Sequence, residues 1–596
     1  MKYRKRLLYY GMLACFLVGC SNLNRLINNK NENIGESTHE HTFSDDWSYD
    51  SETHWHPCTC GHDAINKEEH LFGDWFIASS GEEERVCSIC RYKETKGRQI
   101  LNLRNLYFQS WDGSDRITQH IENKFNVEIH PNSYDYDNWD RQVLSQIYVD
   151  NISDVFHFNV SPYNFSKTYK PWAESGIIKP LPDDLSSWPN IKGLIDNISN
   201  LSSLKINGHV YGIPLIYNIN KPNVDFTSYT YLYRRDWLRN IRPDLVHEND
   251  VYTWDEFINI INAFCTRQDV LSGNSSVIGD VSWGFPSLTT FFKNSNGCYS
   301  LNSNNEVVNN FTTDEYIKGL NITKSLTLGN YAYFDEVSNI YNTRVYDAYK
   351  NGHLGIYYEN LSHSNYSTLR KDIRNINETL TDERLNDMTA IMKVKGPDGK
   401  FHLEGSENWF SMTFFNYEMS EEKQIKLLDI MDYLLSEEGT RLSIYGIENE
   451  DYIINSLGEI ELIDEMWPAA SNGQYAFKYN GAKFLRYMMT LGYDTLQDDP
   501  YTDLASFNIT NAWEESMMNA KTTNDLVLVK EPENIAWMST PLKDDNTESM
   551  IEEGKTYSIG YCYGVSDFST IEDYVSKFNT NKWNNTISQI NEYLNT

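Results

Sequence analysis

Two short clusters of cysteine and histidine near the start of the chain carry the side chains best suited to metal chemistry. Thiolate and imidazole groups in close pairs are the ligands of tetrahedral structural zinc sites. The strongest ligand candidates are four cysteines and three histidines: Cys58, Cys60, Cys87, Cys90, His70, His54 and His41. His39, His56 and His62 offer alternative imidazoles, and the sequence does not choose among them.

The two clusters form an internal repeat with a period of 29 residues. An H-x-F motif followed shortly by tryptophan begins at His41 and again at His70, and Cys58 and Cys87 each stand 17 residues further on. A segment this short has too few apolar residues for a core and needs a cross-link. Two disulfides are the alternative outside a cell, but they do not account for histidines that recur in register. We therefore predict a zinc-ribbon-like module over residues 39–95, with zinc in a structural role.

The N-terminus has the pattern of an export signal. Residues 2–6 are mostly basic, and residues 7–19 are apolar but too few to span a bilayer comfortably. The run ends in LVGC at Cys20, which resembles the lipobox of bacterial lipoproteins. This resemblance implies cleavage before Cys20, acylation of that residue with palmitate and anchoring in the lipid bilayer, with an ordinary signal peptide as the alternative. Residues 21–38 are polar and predict a flexible tether.

Length, charge and the absence of catalytic motifs limit the class of protein. A chain of 596 residues is too long for one core, which predicts several domains. The formal net charge of −33 argues against nucleic acid as a partner. No G-x-S-x-G, H-E-x-x-H, P-loop or G-x-G-x-x-G motif occurs, so the sequence does not predict an enzyme. Cys265, Cys298 and Cys562 are scattered and predicted to be free buried thiols.

The body of the chain after residue 97 alternates strand and helix patterns. ILNLRNLYFQSW (100–111) predicts a strand, and Ser114 is placed to cap the helix that follows. Further on, Thr253 and Glu256 have the spacing of a capping box. This alternation predicts an α/β fold with parallel strands covered by helices.

Seven short motifs occur along the body in a specific order: GIIKPLPDDL with WPNI (176–191), INGHVYGIPL (206–215), LYRRDWL (232–238), TWDEF (253–257), NGHLGIYYEN (351–360), GPDGK (396–400) and DYLLSEEGTRLSIYGIENEDY (432–452). As a series they resemble the family 1 extracellular solute-binding proteins, the lipoprotein receptors of ABC importers, over residues 98–596. The module lies outside this resemblance and is similar to small Cys/His repeats in extracellular proteins of Gram-positive bacteria.

The family resemblance implies a periplasmic-binding-protein-like fold with two hinged lobes and a ligand in the cleft between them. The expected lobe 1 is roughly 98–222 with 345–405, and the expected lobe 2 is roughly 223–344 with 406–596. The implied partners are the permease subunits of an ABC transporter, and the implied state is a monomer. No cofactor is expected in this part of the chain.

Ligands of open α/β sheets bind beyond the carboxyl ends of the strands. Aromatic faces stack on sugar C–H surfaces, and carboxylate and amide groups bind hydroxyls, which favours an oligosaccharide, with peptides or other solutes as the alternative ligands. Core packing is the alternative for any one aromatic residue. The alternative functions are a surface glycan sensor or adhesion lipoprotein, and an exported glycan-active enzyme. The predicted ligand-binding residues are Trp111, Asp112, Phe158, Asn159, Tyr217, Asn218, Trp283, Phe285, Tyr357, Tyr358, Glu359 and Trp409.

Overall fold

A computed structural model describes the chain from residue 41 to residue 595 with internal gaps, which are 62–66, 79–82, 110, 163, 218–220, 222–223, 267–275, 281–286, 293–296, 330–331, 335–343, 459, 464–479 and 491–503. Several predictions fall outside the described residues, namely those for Cys20, the tether at 21–38, His39, His62, Asn218, Trp283 and Phe285. The chain divides into two compact units, a module of Met1–Phe76 with Glu84–Thr95 and a body of Ile77–Glu83 with Lys96–Thr596.

The described residues between 41 and 96 form two small sheets, one from each copy of the 29-residue repeat. Their orders are β1-β2-β3 and β4-β5-β6. Phe43 pairs with Cys58 in the first copy, and Phe72 pairs with Cys87 at the same positions in the second. The strands are β1 (Ser48–Tyr49), β2 (Thr53–Trp55), β3 (Glu68–Glu69), β4 (Phe76–Ile77), β5 (Glu83–Val86) and β6 (Lys93–Lys96).

The first large sheet of the body has five strands in the order β10-β20-β9-β7-β8. Strands β7, β8, β9 and β10 run parallel to one another, and β20 is inserted antiparallel between β10 and β9. Both faces are apolar, as buried strands require. The strands are β7 (Gln99–Asn105), β8 (Val127–Ser133), β9 (Val155–Phe158), β10 (Ile213–Ile216) and β20 (Trp409–Phe415).

The second large sheet has six strands in the order β12-β18-β11-β17-β13-β16, and β11 alone runs against the others. They are β11 (Tyr229–Tyr233), β12 (Val251–Tyr252), β13 (Ser276–Asp280), β16 (Ala332–Phe334), β17 (Leu354–Asn360) and β18 (Ala390–Val394). Paired outside both sheets are β14 (Tyr299–Leu301), β15 (Val307–Asn309), β19 (Phe401–Glu404), β21 (Tyr452–Ile454), β22 (Ile460–Leu462) and β23 (Leu526–Val529).

The strand order produces two lobes and corrects the predicted lobe boundaries. Residues 345–405, predicted in lobe 1, supply β17 and β18 to the second sheet. Residues 406–596, predicted entirely in lobe 2, supply β20 to the first sheet. The reason is that β20 pairs with β9, whose residues lie some 250 positions earlier, and no local pattern reports so distant a partner.

Helices cover both sheets, and a separate group of helices lies at the C-terminal end of the chain. The helices are α1 (Arg116–Phe125), α2 (Trp139–Tyr148), α3 (Tyr169–Ser175), α4 (Pro189–Asp196), α5 (Arg235–Ile241), α6 (Trp254–Cys265), α7 (Asp314–Leu328), α8 (Arg344–Lys350), α9 (His363–Ile376), α10 (Asp382–Met388), α11 (Glu421–Leu435), α12 (Glu437–Tyr445), α13 (Gly481–Arg486), α14 (Leu504–Thr522), α15 (Glu533–Ala536), α16 (Pro541–Cys562), α17 (Ile571–Ser576) and α18 (Asn581–Leu594). Helices α7, α16, α17 and α18 share an aromatic core around Trp583. Within the part of the chain that the structure describes, no helix is long and apolar enough to cross a membrane.

Local capping explains where two helices begin. Thr253 and Glu256 form the predicted capping box at the start of α6, each side chain accepting from the other's backbone N–H. Helix α1 is capped by Asp115, which accepts from the Thr118 N–H at 3.0 Å, and not by the predicted Ser114. Ser114 is instead held by Asp112, whose Oδ1 accepts from its N–H at 2.9 Å.

Candidate functional site

Two segments of the chain cross between the large sheets, residues 217–228 and residues 395–408, and we call them the crossing segments. Each of them joins the carboxyl edge of one sheet to the carboxyl edge of the other. The chain leaves the first sheet at Ile216, the carboxyl end of β10, and enters the second sheet at Tyr229, beside the carboxyl end of β17. It leaves the second sheet at Val394, the carboxyl end of β18, and re-enters the first at Trp409, which pairs with Ile216. Both crossings therefore connect carboxyl edges, where open α/β sheets bind their ligands.

The two crossing segments are paired with each other in an antiparallel manner. Phe226 lies opposite Gly405. The Thr227 N–H donates to the Glu404 carbonyl at 2.9 Å, and the Ser406 N–H donates to the Asp225 carbonyl at 2.8 Å. Such a two-stranded ribbon between lobes is narrow and can bend while its hydrogen bonds remain in place, as hinges in two-lobed proteins do.

Two ion pairs hold the first crossing segment against helix α14 of the second lobe. Lys521 Nζ lies 2.6 Å from Asp225 Oδ1, and Lys221 Nζ lies 2.5 Å from Glu514 Oε1. All four side chains are partly buried. The hinge is therefore anchored to the second lobe more firmly than a single backbone ribbon would allow.

Most predicted ligand-binding residues that the structure describes are buried. Trp111 stacks on Phe484 and donates from Nε1 to Asp115, and Trp409 donates from Nε1 to Asn200 Oδ1 at 2.8 Å. The remaining buried members are Phe158, Tyr357, Tyr358 and Glu359, of which Glu359 accepts from the Tyr357 hydroxyl at 2.5 Å. In this structure these side chains form part of the core and have partners within the protein.

Three predicted residues do reach solvent at the edge of the first sheet. Asn159 follows β9 and is half-buried, and Asp112 is exposed in the loop before α1. Tyr217 follows β10 and exposes 45 % of its surface. Burial nevertheless raises the pKa of the Tyr217 hydroxyl to about 12.

Two further aromatic residues at this edge are not among the predicted ones. Tyr107 follows β7 and is half-buried, and its ring lies 5.4 Å from that of Tyr487, which is also half-buried. Together with Tyr217 they place accessible aromatic faces at the ends of β7 and β10. The sequence does not single out Tyr107, because the predicted strand runs to residue 111, whereas β7 ends at Asn105.

The module brings four predicted metal ligands together, and we call them the second set: His54, His70, Cys87 and Cys90. Their ligand atoms all lie within 4.8 Å of one another. His70 Nδ1 is 3.4 Å from Cys90 Sγ, and His54 Nδ1 is 3.9 Å from Cys87 Sγ. Ligand atoms of a tetrahedral zinc site lie about 3.3–3.8 Å apart, given its bond lengths. Donor types and spacing therefore fit zinc.

Neighbouring backbone groups prepare these side chains for a metal. His70 Nε2–H donates to the Asp50 carbonyl at 2.9 Å, which leaves the Nδ1 lone pair facing Cys90. Burial opposes ionisation of the Cys87 thiol, but the N–H groups of Cys90 and Ile89 and the His70 ring outweigh it and lower its pKa to about 6. A thiolate at neutral pH is the form that binds metal.

Three other predicted ligands form the first set, His41, Cys58 and Cys60. His41 Nδ1 lies 3.4 Å from both sulfur atoms. The structure joins Cys58 and Cys60 in a disulfide, whereas Cys87 and Cys90 are free thiols. A disulfide sulfur is not a thiolate ligand, so the predicted ligand role of this cysteine pair requires its reduced form. Cys265, Cys298 and Cys562 form no disulfide; Cys298 and Cys562 are buried as predicted, whereas Cys265 is only half-buried.

Comparison with known proteins identifies the fold of the chain. No protein-family model matches it, and no curated protein matches its sequence. An extracellular solute-binding protein from Bifidobacterium longum subsp. infantis is 15 % identical with a TM-score of 0.57, covering 83 % of this chain and 98 % of its own. An HMO-binding, ABC-transporter-associated solute-binding protein from Bifidobacterium longum infantis is 14 % identical with a TM-score of 0.55, covering 84 % and 99 %. The S. pneumoniae ABC-transporter substrate-binding protein FusA, in complex with kestose, is 13 % identical with a TM-score of 0.53, covering 83 % and 98 %. The chain therefore has the two-lobed α/β fold of ABC-transporter solute-binding proteins.

Proposed function

We propose that this protein is an extracytoplasmic receptor that binds an oligosaccharide between its two lobes and delivers it to an ABC importer. The observation that carries the proposal is the meeting of both carboxyl edges at a paired crossing, with Tyr217 exposed beside it. Similar structures include one described as HMO-binding and one in complex with kestose, which supports a saccharide ligand.

The residues at the edge of the first sheet suit a sugar better than a charged solute. Tyr107, Tyr217 and Tyr487 offer aromatic faces for sugar C–H surfaces, and Asn159 offers an amide for hydroxyl groups. Closure of the lobes would remove water from the ligand, so each sugar hydroxyl would need a hydrogen-bond partner in the protein. The proposal includes binding and release without chemistry on the ligand.

The test of this function is ligand uptake in a strain lacking the gene. Loss of growth on one oligosaccharide, restored by the wild-type gene and not by a variant that fails to bind, supports the importer. A surface glycan sensor with the same cleft is the second candidate, and it predicts unchanged uptake together with measurable binding. Cleavage of the sugar by the purified protein would instead indicate the glycan-active enzyme.

We further propose that the mature protein is a monomer anchored in the cell membrane through acylated Cys20. The support is the LVGC sequence after a short apolar run. One acyl chain binds a membrane only marginally, whereas two or three give a stable anchor. Residues 21–38 would then act as the tether that keeps the receptor near its permease.

For the module we propose a structural zinc ion, and for the body no cofactor. The support is the second set, whose two thiols and two imidazoles fit a closed tetrahedral site. Removing the metal with a chelator should open the module to proteolysis within residues 41–95 and leave the body resistant. Cys87→Ser should have the same effect without a chelator, and Cys265→Ser, in a half-buried free thiol of the body, is the matched control. Protease resistance of the metal-free protein would contradict the proposal.

A further inference from the structure

We infer that the two ligand sets of the module differ in kind: the second set holds a metal ion permanently, and the first set exchanges a metal ion for the Cys58–Cys60 disulfide. The inference rests on the proposed metal role of the module and adds its regulation. It follows from four differences between two copies of the same small scaffold.

The two copies share their backbone framework. The Thr59 N–H donates to the Thr42 carbonyl at 2.8 Å, and at the same positions of the second copy the Ser88 N–H donates to the Leu71 carbonyl at 2.9 Å. Cys58 and Cys87 therefore occupy equivalent positions. Differences between the sets must come from the side chains and from the spacing of the second cysteine.

The spacing of the cysteines is the first difference. The first copy has Cys58 and Cys60 in a C-x-C pattern, and the second has Cys87 and Cys90 in a C-x-x-C pattern. The additional residue closes a turn in which the Arg91 N–H donates to the Cys87 carbonyl at 3.1 Å and the Tyr92 N–H donates to Cys90 Sγ at 3.4 Å, and a backbone N–H directed at a sulfur atom stabilises a metal-bound thiolate.

The oxidation state of the pairs is the second difference. Cys58 and Cys60 are bonded to each other. Cys87 and Cys90 are not bonded. The same module therefore contains one oxidised and one reduced cysteine pair.

The origin of the histidines is the third difference. The second set takes His70 from its own copy and His54 from the preceding copy. The position one period before His54 is Arg25, which cannot donate a lone pair to a metal. His39 and His62 do not occupy this register position either. Among the residues that the structure describes, the first set thus has three candidate ligands, one fewer than the second set.

Access is the fourth difference. His54 and Cys87 are fully buried and Cys90 is 8 % exposed, so the second set is closed to solutes. In the first set Cys60 is half-buried and His41 is exposed. Thiol–disulfide exchange needs direct attack of a thiolate on a sulfur atom, which favours the pair with the less buried sulfur atom.

The exchange balances as a two-electron reaction. A dithiol reductant transfers two electrons and two protons to the disulfide, which gives the Cys58 and Cys60 thiols and an oxidised reductant. A divalent metal ion then binds both sulfurs and the His41 ring and displaces the two thiol protons. Oxidation by a small-molecule disulfide reverses the sequence: it takes both electrons, re-forms the Cys58–Cys60 bond and releases the metal ion.

The test counts zinc ions in the full chain. The protein is reduced and loaded with Zn²⁺ under nitrogen, freed of excess metal, and divided into a reduced sample and one treated with a small-molecule disulfide. Zinc is measured by elemental analysis, and disulfides are located by mass spectrometry. We expect two zinc ions in the reduced sample and one in the oxidised sample. The double variant C58S/C60S should hold one in both.

His130→Gln is the matched control, because His130 is an exposed histidine of the body and belongs to neither set. It should behave as the wild type. Two ions in the oxidised wild type, or one ion in both wild-type samples, would overturn the inference while leaving the structural zinc intact. No zinc in either sample would contradict the proposed metal role itself.

Discussion

The backbone N–H of Tyr217 donates a hydrogen bond to the carbonyl oxygen of Asn408, with an N···O distance of 3.1 Å. This bond joins the two crossing segments where they meet the first sheet. It holds the backbone of Tyr217 at the hinge while 45 % of the residue remains exposed. A ligand between the lobes would therefore contact this side chain, and movement of the hinge would move it.

Replacing Tyr217 should weaken sugar binding without destabilising the fold. A stacked ring contributes about 0.5–1.5 kcal/mol beyond its buried area, so Tyr217→Ala should raise the Kd about tenfold. Its free energy of unfolding should stay within about 0.5 kcal/mol of the wild type. Calorimetric titration and denaturant unfolding measure the two quantities. Tyr148→Ala, in a tyrosine that is 90 % exposed, is the control. Equal affinity for the Tyr217 variant would remove this residue from the site.

Trp409 should behave in the opposite way, although the sequence predicts it as a ligand contact. It is 4 % exposed, and its Nε1–H donates to Asn200 Oδ1. Trp409→Phe leaves that buried oxygen without its donor, which should lower the free energy of unfolding by about 1–3 kcal/mol. A double-mutant cycle with Asn200→Ala separates the hydrogen bond from the lost packing. Tenfold weaker ligand binding at unchanged stability would instead place Trp409 in the site.

Glu531 should make stability depend on pH. Burial raises its pKa from 4.5 to about 7, and its Oε1 accepts from the Tyr299 N–H at 2.8 Å. Because the folded-state pKa is the higher one, its contribution is fully present below about pH 4.5 and is lost as the pH rises to about 7.

Glu531→Gln should remove this loss, which is at most about 3 kcal/mol over that window. Unfolding experiments across this pH range should show a smaller decline for the variant than for the wild type. Glu533→Gln, in an exposed carboxylate on the same segment, should leave the decline unchanged. Parallel curves for wild type and E531Q would show that Glu531 does not titrate in this range.

Substitution of the lipobox cysteine should release the protein from the membrane. Cys20→Ser removes the thiol that accepts the acyl chain, and the apolar run of residues 7–19 is too short to hold the protein in the bilayer by itself. Fractionation should find the wild type with membranes and the variant in the soluble fraction. The control is Cys265→Ser, which removes a cysteine of the body and leaves Cys20 in place for acylation. Equal membrane association of C20S would contradict lipid anchoring.

Local features of this fold could be predicted, and long-range pairings could not. The capping box of Thr253 and Glu256 lies within four residues and is present as predicted. The predicted strand runs to Trp111, whereas β7 ends at Asn105, because Asn105 Oδ1 accepts from the Tyr107 N–H and turns the chain there. That turn moves the accessible aromatic residue from Trp111 to Tyr107.

The metal ligands show the same limit. The register of His70 with Cys87 is visible in the sequence, because both lie in one copy of the repeat. His54 is among the predicted ligands, but its pairing with Cys87 of the other copy is not visible in the sequence, since His54 reaches Cys87 only through the folded backbone. The choice among histidines therefore depended on tertiary structure.

Native mass spectrometry after mixing with oligosaccharides tests the central claim most directly. The wild type, presented with glucans, fructans and host-type glycans at about millimolar concentration, should gain the mass of one intact oligosaccharide per chain. Tyr217→Ala should retain about a tenth as much at limiting ligand. Sugar fragments in solution, or no added mass with any of these saccharides, would contradict an oligosaccharide receptor.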